Sequence, residues 1–402
     1  MTNIPDQKQK VQEIDRILRK EYKRTSDIGI MTGISGIALF QFYYSRYIDS
    51  NECAEIATEM IVNGIEKINN GYDSPSYSDG IAGLCWVVQH LKINGFLDVD
   101  TDAFLSPFDE YLYAQMRYEL KLGNFDFLHG ALGYGFYFLS RYDNTSDLHL
   151  KKKYEKYLLS LVTGLENSMI TEGKTFKWES TLNVKTGVKG FDLGLSHGIA
   201  SIINFLSRLH QFEVFKKSTE KLLKGSIAFV LSTESDKKTS LSLFPSAIEK
   251  EKSIQYNSRI SWCYGDLGIG LSLLRASKVL KDGSLKQKAY TIFKHTAERK
   301  TPQDTLVRDA GVCHGSFGNA LMYQNISGRN KLFQRMSEFW LGDGMQKAVY
   351  KDGYAGYKQW CNSRKTWISQ LSLLEGIAGI GLTIINYLSK KRFKWDECLL
   401  IS

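Results

Sequence analysis

The chain has 402 residues, 43% of them apolar, and its 52 basic and 43 acidic residues give a net charge of +9. That apolar share excludes a disordered chain, and six cysteines are too few for a disulfide scaffold of this length. The polar first residues, the lack of an apolar run of about 20 residues and the even spread of basic residues predict a cytoplasmic protein without a nucleic-acid partner.

Seven short motifs recur along the chain, each with two glycines three positions apart, except that Ser201 replaces the second glycine of the fourth motif. An apolar run follows each motif, which predicts a buried helix. Two positions without side chains on one face let another backbone approach closely. The first glycines lie 47 to 68 residues apart, at Gly33, Gly80, Gly130, Gly198, Gly265, Gly315 and Gly376.

Charged stretches with apolar residues at helical spacing lie between the motifs, as in residues 11–22, 148–165 and 212–231. Each repeat therefore predicts one inner buried helix and one outer amphipathic helix. Seven such pairs without a linker predict a single all-α domain over residues 1–402, either an open solenoid or a closed α/α toroid. We favour the toroid of seven inner and seven outer helices, because the very apolar last unit lacks the polar cap of a solenoid.

Two segments interrupt the helical pattern. Residues 175–190 alternate and contain turn residues, which predicts a β-hairpin. Residues 351–368 are aromatic and are expected to be irregular. Both precede a glycine motif, so we expect them on one face, where loops can contact a substrate.

Two cysteines occupy equivalent places in the fifth and sixth motifs. Cys263 and Cys313 each lie two residues before the motif glycine, and His314 follows Cys313 directly. Two thiolates and one imidazole suit zinc, and a fourth open position is typical of a catalytic zinc. The alternative from the residues alone is two buried cysteines and a histidine at a helix start.

A second group of polar residues lies at the third and fourth motifs. His197 and His129 each precede the motif glycine directly, and Asp126 lies four residues before Gly130. These residues are candidates for acid–base chemistry. The alternatives are an N-cap role for Asp126 and a histidine that bonds backbone.

The chain resembles the lanthionine synthetase C-like family, the lantibiotic cyclases, from Gly33 to Leu388. The resemblance depends on the seven glycine motifs and on three short sequences in this order: Ser196-His-Gly198, Trp262-Cys-Tyr-Gly265 and Cys313-His-Gly315. It implies an α/α toroid that binds one Zn²⁺. Three positions differ from the usual family residues, with Asp192 for asparagine, Ser196 for alanine and Ser201 for glycine.

The resemblance also implies the roles of individual residues. The family's zinc ligands fall on Cys263, Cys313 and His314. Its catalytic residues and motif positions fall on His197, Asp126, Arg259 and Tyr264.

The implied reaction is an intramolecular Michael addition, in which a peptide cysteine adds to dehydroalanine or dehydrobutyrine and closes a (methyl)lanthionine thioether ring. Zinc would hold the nucleophile as a thiolate. We expect His197 to donate the proton to the α-carbon and Asp126 to assist. Arg259 and Tyr264 would stabilise the enolate oxygen or hold the site.

The family also implies partners: a ribosomal precursor peptide as substrate, a separate dehydratase, and an exporter complex through which the protein would meet the membrane. One alternative is a non-catalytic zinc protein that binds glutathione or another thiol. A second is an α/α-toroid glycosidase, which needs two opposed carboxylates, whereas the sequence places only Asp126 near the expected site.

Overall fold

The computed structural model describes residues 6–183, 185–235, 240–389 and 392–402, and within these ranges it contains 15 α-helices and seven short β-strands. Seven of the helices begin directly after the seven motif glycines and are buried along most of their length. The predicted buried helices are thereby confirmed, as α2 (Ile34–Ile48), α4 (Ile81–Ile93), α6 (Ala131–Asn144), α8 (Ile199–His210), α10 (Asp266–Val279), α13 (Ser316–Ser327) and α15 (Ile377–Leu388).

Seven amphipathic helices alternate with the buried ones in the chain. In α1, for example, Val11, Ile14 and Leu18 form one buried stripe, the pattern of a helix that lies against a core. The three predicted amphipathic stretches correspond to α1, α7 and α9. The full set is α1 (Gln7–Glu21), α3 (Asn51–Asn69), α5 (Thr101–Leu122), α7 (Leu148–Ser168), α9 (Glu213–Ser232), α11 (Gly283–Glu298) and α14 (Lys331–Gln346), while α12 (Pro302–Thr305) is a single turn.

The loop before a buried helix closes onto the first turn of that helix. Before α13, the carbonyl of Asp309 accepts the N–H of Ser316 at 3.1 Å. A Cβ on Gly318 would lie 1.9 Å from the carbonyl oxygen of Val312, so the second motif glycine leaves space for this loop. Ser201 takes that position before α8, and its hydroxyl donates to the carbonyl of the motif glycine at 2.6 Å.

Contacts between Cα atoms divide the chain into two compact units. The first comprises Met1–Pro107 and Val307–Ser402. In it the buried helices are neighbours in the order α13, α15, α2, α4, and the outer helices α14, α1 and α3 pack against α13, α15 and α2. The apolar last helix α15 is thus covered by the first two helices of the chain, as expected from its composition.

The second unit comprises Phe108–Leu306. Its buried helices α6, α8 and α10 are neighbours in chain order, and α7, α9 and α11 pack against them from outside. Each pair consists of a buried helix and the amphipathic helix that follows it. This repeated pair is the unit that the glycine spacing predicts, whereas the single domain over residues 1–402 stays a prediction.

The segment 175–190, predicted as one hairpin, takes part in two sheets. Its first residues form β2 (Thr175–Lys177), which pairs antiparallel with the preceding β1 (Ile170–Glu172). The second hairpin consists of β3 (Ser180–Asn183) and β4 (Val188–Asp192), and β5 (Ala247–Glu249) adds to β4 as a third strand. The additional turn contains Gly173 with a φ of +59°, a conformation that favours glycine, and the prediction did not recognise it.

The segment 351–368 is more regular than expected. It contains the antiparallel strands β6 (Gln359–Cys361) and β7 (Thr366–Ile368). Trp360 lies opposite Trp367, and the centroids of their rings are 5.4 Å apart. Such a cross-strand aromatic pair stabilises a short hairpin, which explains the strands in a stretch without clear alternation.

Candidate active site

An aspartate and a histidine from neighbouring motif loops form an ion pair in the second unit. Oδ2 of Asp126, before α6, accepts a very short hydrogen bond from Nδ1 of His197, before α8. Oδ1 of Asp126 accepts the backbone N–H groups of Leu128 and His129 at 2.6 and 2.8 Å. The carboxylate therefore serves both as the cap of its own loop and as the partner of His197.

This pairing changes the pKa values of both groups. Burial alone would lower the pKa of His197, but the charge and hydrogen bond of Asp126 outweigh burial and raise it to about 9. Burial alone would raise the pKa of the Asp126 carboxyl, but the charge of His197 outweighs burial and lowers that pKa. At neutral pH the pair is an imidazolium and a carboxylate, so His197 carries a proton that it can donate.

Backbone hydrogen bonds fix the loops on either side of this pair. The N–H of Phe127 donates to the carbonyl of Ser196 at 3.3 Å, and the N–H of Leu195 donates to the carbonyl of Cys263 at 3.0 Å. Tyr264 follows Cys263, and the centroid of its ring lies 5.9 Å from that of His197. The loops before α6, α8 and α10 thus place Asp126, His197 and Tyr264 side by side.

The loop that carries Arg259, Cys263 and Tyr264 contains a tight turn. Gly265 has a φ of +91°, and a Cβ there would lie 2.3 Å from the carbonyl oxygen of Arg259, so the turn requires glycine. Nε of Arg259 is buried and has no hydrogen-bond partner among the described residues. Such a donor is suited to a ligand that supplies an oxygen.

A cavity of about 560 Å³ opens beside the ion pair, entirely within the second unit. Asp126, His197 and Tyr264 line it, and so does the edge strand β3 with Ser180, Thr181 and Leu182. Ser180 Oγ is buried and has no hydrogen-bond partner in the part of the chain that the structure describes. Strand β3 of the 175–190 segment thus lines the same cavity as the ion pair.

The cavity also corrects the expectation that Asp126 is the only carboxylate at the site. Glu119 and Asp192 line the same cavity. Burial raises the pKa of Asp192 to about 6, against the opposing charge of His197 and the hydrogen bond from the N–H of Gly194. Three carboxylates therefore line the cavity, and their number does not exclude a glycosidase.

The predicted zinc ligands are divided between the two units. Cys263 belongs to Phe108–Leu306, and Cys313 and His314 belong to the other unit. Both cysteines are nearly buried, with 5% and 9% of their surface exposed. The backbone N–H of Cys313 donates to the carbonyl of Leu374 at 2.8 Å, which fixes its loop against the loop before α15.

His314 has an acidic neighbour, Asp309, that is absent from the predicted site residues. Nε2 of His314 lies 3.1 Å from Oδ2 of Asp309, and the side chain of Asp309 is 1% exposed. Asp309 lies six residues before Gly315, and Asp192 and Asn124 have the same offset from their motif glycines. Each of the three side chains accepts the N–H of the residue two positions later, so this recurring polar position could have indicated Asp309.

Within the described ranges, each helix is too short or too polar to cross a bilayer.

Comparisons with known proteins agree with the sequence motifs. Residues 25–400 match the family model described as lanthionine synthetase C-like protein. The chain is 24% identical over 437 aligned positions to nisin biosynthesis protein NisC of Lactococcus lactis subsp. lactis, which covers all of this chain and 97% of the relative. The solved structure of nisin cyclase matches with a TM-score of 0.75 at 18% identity, over 97% of each chain.

The structural likeness confirms the predicted all-α fold class, that of the α/α toroids. The family model covers nearly the whole sequence, including every glycine motif and each candidate site residue. The chain therefore belongs to the lanthionine synthetase C-like protein family.

Proposed function

We propose that this protein is a zinc-dependent cyclase that closes thioether rings in a dehydrated peptide. The observation that carries the proposal is the Asp126–His197 ion pair on the wall of a cavity that can admit a peptide side chain. The relatives named for nisin and its cyclisation support the same reaction class. Binding a thiol requires no proton donor, whereas ring closure does.

The proposed zinc ligands are Cys263, Cys313 and His314. Each side chain offers one ligand atom, a sulfur from each cysteine and a nitrogen from the imidazole. Such a soft donor set fits Zn²⁺, and three protein ligands leave a position for substrate. When bound there, zinc lowers the pKa of a coordinated thiol, so that the peptide cysteine reacts as a thiolate.

His197 completes the reaction on the carbon side. The sulfur forms a bond to the β-carbon of the dehydroamino acid, and the electron pair of the C=C bond moves onto the α-carbon and its carbonyl oxygen. Asp126 holds Nδ1 of His197, so Nε2–H donates the proton to the α-carbon. The proton lost by the substrate thiol restores the imidazolium, and no other reactant is consumed.

Two further residues of the α10 loop are suited to the enolate that forms in this step. Arg259 has a buried Nε without a partner among the described residues, and we assign it to the enolate oxygen. The ring of Tyr264 lies beside His197 and limits its movement. The edge strand β3 would contact the peptide from the other side of the cavity.

The proposal also includes partners that supply and remove the peptide. The substrate is a ribosomal precursor peptide whose serines and threonines have been dehydrated, so a separate dehydratase must act first. An exporter complex would take the cyclised product to the membrane from the cytoplasm. The charge of +9 would assist the docking of an acidic partner.

The test is a ring-closure assay on a dehydrated precursor peptide with the zinc-loaded protein. Each ring consumes one thiol without a change in mass, so the number of alkylated cysteines in mass spectra reports ring closure directly. We expect His197→Asn to retain one zinc per chain but to slow ring closure by about 100-fold or more, the usual contribution of a general acid.

The matched control is His149→Asn, because His149 is exposed on α7 and lies outside the cavity lining. It should close rings at the wild-type rate. An unchanged rate in His197→Asn would remove that residue from the mechanism. A wild-type protein that binds zinc and a thiol but closes no ring would support the alternative of a thiol-binding protein.

A further inference from the structure

We infer that Asp309 is a positioning residue that fixes the ring of His314 for zinc, with Nδ1 as the nitrogen that faces the metal. The inference rests on the proposed zinc site. The side chains that carry it, Asp309 and His314, and the strand that contacts them belong to the first unit of the chain.

The carboxylate of Asp309 is held at both oxygens. Oδ1 accepts the N–H of Gly311 at 3.1 Å, and Oδ2 accepts the N–H of Trp360 at 3.2 Å. The side chain is 1% exposed, and that of His314 is 11% exposed. Two backbone donors fix the carboxylate plane, so its orientation does not depend on the histidine.

The position of this carboxylate determines which way the imidazole points. Oδ2 of Asp309 lies 3.1 Å from Nε2 of His314. This contact is a close ion pair and does not have the angle of a hydrogen bond. A carboxylate this close to Nε2 leaves Nδ1 as the nitrogen available to a metal. A carboxylate on the outer nitrogen of a ligand histidine fixes its tautomer and strengthens its donation to the metal.

Asp309 also joins the ligand loop to the β6–β7 hairpin. Trp360, whose N–H donates to Oδ2, lies in β6, and the guanidinium of Arg308 lies 5.3 Å from the centroid of its indole ring. The hairpin that interrupts the helical repeat thus has a specific place next to His314. This arrangement gives the aromatic 351–368 segment a function in the metal site that its sequence did not indicate.

The first test is zinc affinity, measured by competition with a chromophoric chelator on the full-length protein. We expect Asp309→Ala to weaken Zn²⁺ binding by about 10- to 100-fold, the usual effect of removing such a partner. The zinc affinity of Asp309→Asn should lie between those of wild type and Asp309→Ala, because an amide retains one acceptor oxygen but loses the charge.

The matched control is Asp343→Ala, on α14. Asp343 accepts a hydrogen bond from the hydroxyl of Ser316 at the start of α13 and forms an ion pair with Lys347. Its loss perturbs the same helix and should leave zinc affinity unchanged. Equal affinity losses in Asp309→Ala and Asp343→Ala would overturn the inference, because a general loosening of α13 would explain both.

The second test identifies the ligand nitrogen and does not depend on how stable the variants are. In long-range proton–nitrogen spectra of the ¹⁵N-histidine protein loaded with Zn²⁺, we expect His314 to carry its proton on Nε2 and to bind through Nδ1. Zinc on Nε2 would overturn the inference. A wild-type protein that takes up no zinc would instead refute the proposed function, so the two failures are distinguishable.

Discussion

The loops before α8 and α13 share one residue pattern but give their histidines different partners. In each loop an aspartate lies six residues before the motif glycine and a histidine lies directly before it, as Asp192 and His197 or as Asp309 and His314. Nε2 of His314 lies 3.1 Å from Oδ2 of the aspartate of its own loop. His197 directs Nδ1 to Asp126, which belongs to the loop of the preceding motif.

This difference separates two kinds of histidine chemistry at one repeat position. A carboxylate on Nδ1 leaves Nε2 to face the cavity, where a proton can be donated. A carboxylate on Nε2 turns Nδ1 toward a metal. The repeat thus fixes where each histidine lies, while the origin of the neighbouring carboxylate decides what the ring can do.

The largest effect is expected from Cys313→Ala, which tests the metal side of the comparison. The change removes one of three proposed ligands, and the remaining cysteine and histidine cannot bind zinc tightly. Elemental analysis should find less than about 0.1 zinc per chain, and ring closure should be lost.

Cys85→Ala is the control for this variant, because Cys85 is a buried thiol on α4 in the same unit. It should retain one zinc per chain and the wild-type activity. If Cys313→Ala also retained both, Cys313 would not be a ligand and the assignment of the α13 loop would be wrong.

The second prediction tests the proton-donor side through Asp126→Asn. Without the carboxylate, the pKa of His197 should fall from about 9 toward its ordinary value near 6.5. At pH 8 the imidazolium would then be only about 3% populated, so ring closure should slow by about 30-fold. Zinc content should not change.

An NMR titration of His197 in wild type and Asp126→Asn measures the cause of that loss directly. An unchanged pKa of His197 in Asp126→Asn would show that the ion pair does not determine its protonation, whatever the rate.

The third prediction concerns the pH dependence of stability. The pKa of His197 is higher in the folded protein, about 9, than in the unfolded chain, about 6.5. The ion pair therefore contributes its full stabilisation below about pH 6.5, and this contribution is lost as the pH rises toward about 9. The free energy of unfolding of wild type relative to Asp126→Asn should fall by on the order of 1–3 kcal/mol across this window.

Denaturant unfolding at several pH values would measure this difference. A wild-type advantage that increased between pH 6.5 and 9 would have the wrong sign for a raised histidine pKa. It would contradict the charged pair and favour a neutral hydrogen bond between Asp126 and His197.

The repeat made the fold predictable from the sequence, because glycine spacing and apolar runs are local signals. The start of each buried helix followed directly from its motif glycine, as at Gly315 before α13. The equivalence of Cys263 and Cys313 followed from the same periodicity. Predicting that His197 and Asp126 act together required the resemblance to the family, since 71 residues separate them in the chain.

Contacts between distant segments were not predictable in this way. Asp309 receives the N–H of Trp360 from a hairpin 51 residues later, and no local pattern encodes that pairing. The turn at Gly173 was missed because β1 and β2 are only three residues each. Short strands give too few residues for alternation to be recognised.

The smallest effect is expected from Leu182→Asp, which tests whether substrate reaches His197 along the edge strand β3. Leu182 is half-buried and lines the same cavity as the ion pair. A carboxylate there would oppose an apolar peptide side chain and add to the negative charge of Glu119 and Asp192. We expect KM for the dehydrated peptide to rise by about three- to tenfold, with kcat nearly unchanged.

Thr171→Asp is the matched control, because it introduces the same charge on the exposed strand β1, outside the cavity lining. It should leave KM unchanged. A fall in kcat with constant KM in Leu182→Asp would mean that the new carboxylate acts on His197 and not on the peptide. The difference in KM between the two variants therefore distinguishes a hairpin that binds the peptide from one with only a structural role. It also shows whether β3 belongs to the same site as the proton donor.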